Sequence, residues 1–233
     1  MLNKFLTALF GVAVFFFIIT FSIALPIYCR FFYYAQINAL NLPEATGYDY
    51  ATIKAAYDEV LNFLTLPNRE FGTGVFKYTE SGKAHFYDCK VLFNLNLIVL
   101  IVSSVVGVTL FVLDKLKIIT LSKPFNMNVS FISALSIFIF FALLAIVVAI
   151  NFDVAFTVFH HIFFPGKNNW LFDPRYDQIL RILPQDFFMN CAILIGASII
   201  LISLGIIIFQ LIKRRKTTKK QEKSTNSLTN ETK

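Results

Sequence analysis

Formal charge is scarce in this chain. Asp, Glu, Lys and Arg make up 15% of its 233 residues, against about 25% in ordinary soluble domains. Four long stretches hold none at all: about 5–25, 91–113, 129–150 and 188–212. That absence excludes an ion pair or proton wire built from carboxylates and amines inside those stretches. Cysteine is also scarce. Cys29, Cys89 and Cys191 are the three present, an odd and sparse set that is no disulfide framework. The topology leaves a Cys29–Cys89 bridge open, but buried free thiols are the expected state. No small-x-small cleavage site follows the first apolar stretch, and bulky Tyr28 before Cys29 does not suit a lipoprotein signal, so the stretch reads as an uncleaved signal anchor. No His-Glu-x-x-His spacing and no Gly-x-Ser-x-Gly elbow occurs, and no internal repeat.

What is abundant is apolar. Hydrophobic residues are 57% of the chain, 28 of them Phe, and the mean hydropathy is +0.67. A membrane-crossing helix needs about 20 mostly apolar residues, each rising about 1.5 Å through a core about 30 Å thick. The four uncharged stretches each meet that length. The expected fold is an all-α membrane protein, a four-transmembrane-helix bundle with a partly helical extracellular cap formed by two outer segments. It is one membrane domain, 1–216, with outer segments 30–90 and 151–187, followed by a disordered basic tail, 217–233.

Charge distribution orients this bundle. The N-terminus, the short 114–128 loop and the tail carry 12 of the 21 basic residues and 3 of the 14 acids, net +9; the two longer segments carry the remainder, net −2. The basic side is expected to be cytoplasmic, with both termini there. The sequence pI of about 9.3 is thus a topology signal rather than a sign of nucleic-acid binding. The cluster Lys213-Arg214-Arg215-Lys216 suits anionic lipid heads.

Within the first outer segment, Asp49 or Thr52 caps a helix whose Ile53, Tyr57, Val60, Leu61 and Leu64 recur at helical spacing, and Pro67 ends it. Tyr33, Tyr34, Tyr48, Tyr50 and Tyr57 read as membrane-interface residues. From about Ser81 a helical pattern runs into the second span. The second outer segment opens with Phe152, Phe156, Phe159, Phe163 and Phe164, an aromatic helix at the interface broken by Pro165-Gly166. Small-residue pairs, Ser103 with Gly107 and Ala192 with Gly196, mark candidate helix contacts.

All three histidines, His85, His160 and His161, fall in the outer segments. His85 and Asp88 stand three apart, one helical face, so Asp88 can accept from a ring nitrogen of His85 and leave the other basic. His160 and His161 point about 100° apart, so only one can share a site with His85. Trp170 reads as an interface anchor, Asp173 before Pro174 as a turn, and Asp177 as an orienter of a histidine or a partner of Arg175 or Arg181. His85, Asp88 and a later histidine are also competent zinc ligands.

These blocks together, His85-Phe86-Tyr87-Asp88-Cys89-Lys90, Phe159-His160-His161-Ile162-Phe163-Phe164, Asn169-Trp170-Leu171-Phe172-Asp173, Asp177 and Pro184-Gln185-Asp186-Phe187-Phe188, resemble the bacterial intramolecular lipoprotein transacylases, the Lit family. The first block departs from the family's pattern: an acidic residue commonly stands a few positions before the histidine, where this chain has Ser81-Gly82-Lys83, with Glu80 one step earlier. The doubled histidine leaves the register open between His160 and His161; following Phe159 and preceding Phe163 by three favours His160. The resemblance implies transfer of the sn-2 acyl chain of a diacylglyceryl-cysteine to the α-amino group of the same cysteine, giving a lyso-form N-acyl lipoprotein. It implies no cofactor and no metal, catalytic His85, His160 and Asp88, and supporting His161, Trp170, Asp173, Asp177 and Tyr87. The partners would be a diacylated bacterial lipoprotein and membrane lipid, in the bacterial cell membrane with the site at the outer leaflet. A membrane metallohydrolase and a non-enzymatic four-helix scaffold are the competing readings.

Overall fold

A computed structural model describes the backbone of residues 1–231 and the side chains of 1–219 except Asn126. It is all-helical: α1 (Leu2–Tyr28), α2 (Arg30–Ala39), α3 (Leu42–Thr46), α4 (Tyr50–Thr65), α5 (Glu80–Lys115), α6 (Val129–Ile150), α7 (Phe152–Phe163) and α8 (Gln185–Glu231), with 3-10 turns at Pro124–Asn126 and Gln178–Arg181. α1, α5, α6 and α8 are each long and apolar enough to cross a membrane. From residue 220 the expected disordered tail, 217–233, lies outside the residues whose side chains are described.

α1 is central, packing against α5, α6 and α8, while α6 also packs on α8. Ile18, Ile137 and Ile199 meet in the middle of the bundle, all fully buried. Most other apolar side chains of the spans face outward, as lipid permits. Contacts between spans use small and polar groups. A Cβ on Gly11 would stand 2.7 Å from Val129 Cγ2, and Ser133 Oγ donates to the Gly11 carbonyl at 3.0 Å. Asn96 Nδ2 donates to the Thr20 carbonyl at 3.2 Å. Of the expected small-residue contacts, Gly107 does face α1, with Ala13 3.8 Å away, whereas Gly196 has open space beside it. Gly11, unremarkable in sequence, is where α1 and α6 approach tightly.

At 36 residues α5 is about 54 Å long, well beyond the apolar core of a bilayer. Its uncharged part, 91–113, fills the crossing, so Glu80 to Lys90 projects beyond it into a cap of α2, α3, α4 and the 66–79 and 164–184 connections.

The cap has its own apolar core. α4 begins at its Asp49 cap, whose carboxylate accepts from Thr52 N at 2.8 Å, and Ile53, Tyr57, Val60, Leu61 and Leu64 are buried as their spacing required. Tyr33 and Tyr57 stack with ring centroids 3.6 Å apart, and Tyr33 Oη donates to the Ile182 carbonyl at 2.8 Å. These two tyrosines are therefore core residues, correcting the interfacial reading: a buried phenol is stable once its hydroxyl has a partner. Asp58 gathers Arg30 (2.8 Å), Lys54 (2.9 Å) and Tyr34 Oη (2.6 Å), tying α2 to α4.

Candidate active site

His85 sits on the projecting end of α5, one turn from the helix start. Thr79 caps that start. Its Oγ1 accepts from Gly82 N at 3.0 Å, and its own N–H and hydroxyl donate to Asp177 Oδ1 at 2.8 and 2.9 Å. Gln178 N donates to the Lys77 carbonyl at 2.8 Å. The second long connection is thereby pinned to the base of α5. Gly82 lies three residues before His85 on the same face. A Cβ there would overlap Asp177 Oδ1 and stand 2.9 Å from Phe172 Cε1, so only glycine lets Phe172 close against α5.

His160 comes from the last turn of α7, and its ring lies 5.7 Å from that of His85, centroid to centroid. Both imidazoles are more than nine-tenths buried. His160 Nδ1 is 2.7 Å from the Phe156 carbonyl oxygen. A carbonyl only accepts, so Nδ1 carries the hydrogen and the neutral ring keeps its lone pair on Nε2. Trp170 stacks on one face of His160 at 4.6 Å and Phe156 packs against it at 4.3 Å. Phe164 and Phe172 flank His85 at 4.7 and 5.4 Å. His85 Nε2 faces Cys89 Sγ at 3.5 Å.

This dry aromatic setting penalises charge on either ring. Burial pushes His85 down to about 4, helped by neighbouring His160 and resisted by Asp88 and Asn169. Burial also holds His160 below its ordinary value, against the pull of the Phe156 carbonyl. Both are neutral near pH 7, the form a general base requires.

Asp88 is placed differently from its sequence expectation. No hydrogen bond joins it to His85 among the described residues. Its Oδ1 takes Lys167 Nζ at 2.5 Å and its Oδ2 takes Asn169 Nδ2 at 2.9 Å. Burial resists its ionisation, but these two donors outweigh that and keep the carboxyl below its usual range. Asp177 does not pair with Arg175, Arg181 or a histidine; it holds Thr79. Arg175 instead pairs with Asp173 at 2.6 Å, a turn at the surface. His161 is exposed and meets Trp170 edge-on at 5.5 Å, away from His85. Tyr87 is half exposed and packs on Phe63 at 4.9 Å. Cys29 is an exposed free thiol, and Cys89 and Cys191 are half-buried and free, so the Cys29–Cys89 bridge is absent and the expectation of buried thiols fails at Cys29. His85, Asp88 and His160 do not converge as ligands: among the described residues no group of three or more His, Cys, Asp or Glu is placed to hold a metal ion.

Asn169, Lys167, Phe156, Phe164 and Phe172 complete the pocket; sequence reasoning placed Phe156 and Phe164 in an interfacial aromatic helix and Asn169 and Phe172 in a family-like block without giving them a role in the site, and passed over Lys167. The signal nearest to Lys167 is its place between the Pro165-Gly166 break and the Asn169-Trp170-Leu171-Phe172-Asp173 block.

The model of the family described as Lipoprotein intramolecular transacylase Lit matches residues 8–188. No curated protein matches the chain. Among solved structures, the membrane-integral lipoprotein intramolecular transacylase Lit of Bacillus cereus superposes with a TM-score of 0.78 at 24% identity, covering 95% of this chain and 98% of that one. A variant of the same protein, with a histidine-to-arginine substitution, gives 0.72 at 22% identity over 93% of this chain and 95% of its own.

Proposed function

The chain belongs to the lipoprotein intramolecular transacylase family Lit, an acyltransferase family, and we propose that its acyl transfer takes place at the His85–His160 pair, on the outer leaflet of a bacterial cell membrane. The positive-inside distribution supports that side: the short loop and both terminal segments are basic, and the two segments that build the pocket are not.

The substrate would be a lipoprotein whose N-terminal cysteine bears a diacylglyceryl thioether. The α-amine of that cysteine attacks the sn-2 ester carbonyl, an N–C bond forms, and the glycerol oxygen leaves. The amine loses one proton and the glycerol oxygen gains one, so the transfer needs no cofactor and no net proton. His160 Nε2, its lone pair aimed away from the Phe156 carbonyl, is the general base. His85 Nε2 accepts that proton from His160 and returns it to the departing glycerol oxygen, so both imidazoles end as they began. An imidazole as desolvated as His85 gives up a proton readily once it carries one. Nucleophile and ester belong to one molecule, so holding them together supplies much of the acceleration; effective molarities for such pairs reach about 10⁵–10⁸ M. The walls of Phe156, Phe164, Trp170 and Phe172 keep out water, which would otherwise hydrolyse the ester. The exposed Val158, Phe159, Ile162 and Phe163 of α7 suit an acyl-chain layer beside the pocket, from which a lipid-anchored substrate can arrive sideways.

The observation that carries this assignment is the 5.7 Å meeting of His85 and His160, each from a separate connection. Its test is mass spectrometry of N-terminal lipopeptides from cells expressing His85→Ala or His160→Ala. Each should lose lyso-form product by about 10²-fold or more. Retention of product in both would place the chemistry elsewhere.

A further inference from the structure

We propose that Asn169 is a positioning residue for His85, its amide coupling the imidazole to Asp88: Oδ1 takes the His85 Nδ1–H while Nδ2 donates to the carboxylate. This deepens the reading of His85 given above and rests on it.

The orientation of the amide follows from its neighbour. A carboxylate accepts only, so the Asn169 atom 2.9 Å from Asp88 Oδ2 is the nitrogen. Oδ1 therefore points to the other side of the amide, where it is buried with no partner. His85 Nδ1 is likewise buried with no partner. One of these atoms can donate and the other can only accept. Buried polar atoms rarely stay unpaired, and joining these two satisfies both at once. Asn169 already favours the protonated imidazole of His85, as does Asp88. The bond is open in the substrate-free pocket, where catalytic hydrogen bonds are often long or poorly aligned and tighten when substrate arrives.

An amide between carboxylate and imidazole differs in effect from direct contact. A carboxylate touching His85 would favour imidazolium. A neutral amide fixes the tautomer, with hydrogen on Nδ1 and the lone pair on Nε2, while the ring stays uncharged at rest. Lys167 takes the other oxygen of Asp88 at 2.5 Å, which leaves Oδ2 for Asn169 and fixes the carboxylate in place. Nε2 then faces the pocket, with Cys89 Sγ 3.5 Å away as its weak donor.

The test reads both tautomer and rate on the full-length protein in lipid nanodiscs. Nitrogen-15 shifts of labelled histidine should report His85 as the Nδ1–H tautomer. Asn169→Leu should give a tautomer mixture and lower kcat by about 10- to 100-fold, with KM unchanged. Asn169→Asp keeps an acceptor for Nδ1–H, so it should restore the tautomer and move the titration of the His85 nitrogen-15 shifts to higher pH. The charged or titratable groups facing His85 are Asp88 and Cys89 on α5, His160 on α7 and Lys167 on the following connection. If Asn169→Leu does not fold, Asn169→Asp decides alone: an unmoved His85 nitrogen-15 titration overturns the proposal. A wild-type tautomer and wild-type kcat in Asn169→Leu overturn it too. An active His85→Ala would instead sink the assignment of His85 as catalytic, and the tautomer measurement would still judge Asn169.

Discussion

His160 hands its Nδ1 hydrogen to the Phe156 carbonyl one turn back along α7, 2.7 Å away. A single backbone acceptor thus decides which nitrogen of the ring is basic, and no side-chain orienter is needed on that side of the pocket. The same helical geometry turns His161 outward, where it meets the edge of Trp170.

The neighbouring histidines should accordingly behave differently. His161→Ala is expected to keep lyso-lipoprotein formation within a few-fold of wild type, whereas His160→Ala loses about 10²-fold or more. Lipopeptide mass spectrometry on the two variants side by side measures this, and equal losses would contradict the register.

Trp170 covers one face of His160, and its indole Nε1 donates to the Lys167 carbonyl at 3.0 Å. Trp170→Ala should open the pocket to water and raise the His160 pKa toward that of a free imidazole, lowering activity and increasing hydrolysis of the ester relative to transfer. Released fatty acid per N-acylated product is the quantity to follow; Trp170→Phe, which keeps an aromatic cover, should lie between.

The pH profile carries a signature of this dry site. Burial holds both imidazoles below their ordinary 6.5, His85 at about 4, so neither titrates above pH 7. The substrate α-amine, with a pKa near 8, does. Activity should rise with pH toward about 8 without a break near 6.5, when kcat/KM is measured on a synthetic diacylated lipopeptide. A clear break at 6.5 would show a solvated catalytic histidine.

Stability follows the same depressed value with a definite sign. His85 binds a proton in the unfolded chain below pH 6.5 but in the folded chain only near 4, so the unfolded state holds more protons in that window. The contribution of neutral His85 is fully present above pH 6.5 and is lost as pH falls toward about 4. Thermal unfolding in detergent from pH 7 to 4.5 should therefore fall more steeply for wild type than for His85→Gln.

Gly82→Ala tests the clamp beneath His85. Its methyl would collide with Asp177 and Phe172, forcing the second connection off α5. The expected cost is about 1–3 kcal/mol of cap stability, together with reduced transfer. Asp177→Asn should act in the same direction by weakening the two donors from Thr79.

The four spans and the α4 helix were legible in the sequence because both are local properties. An uncharged run of about 20 residues reports a crossing by length alone, and five apolar residues at helical spacing report a buried face. Placing all three histidines in the two long connections needed only the span boundaries. The short α2 and α3 helices of the cap were not legible, because the 30–46 stretch mixes aromatic and polar residues without a sustained apolar face.

Tertiary structure decided the rest. Asp88 meets Lys167 and Asn169 across about 80 positions of chain, and Asp177 meets Thr79 across 98; no periodicity connects such pairs. Sequence spacing put Asp88 within reach of His85, but a carboxylate goes to the strongest donors the fold brings it, here an ammonium and an amide. The tyrosine pair at the cap core, the tight approach at Gly11 and the choice of His160 over His161 likewise depend on which helix lies opposite. Length and hydropathy determine that this chain crosses a membrane four times. Only the packing of α5 against the connection after α7 makes two distant histidines into one pocket.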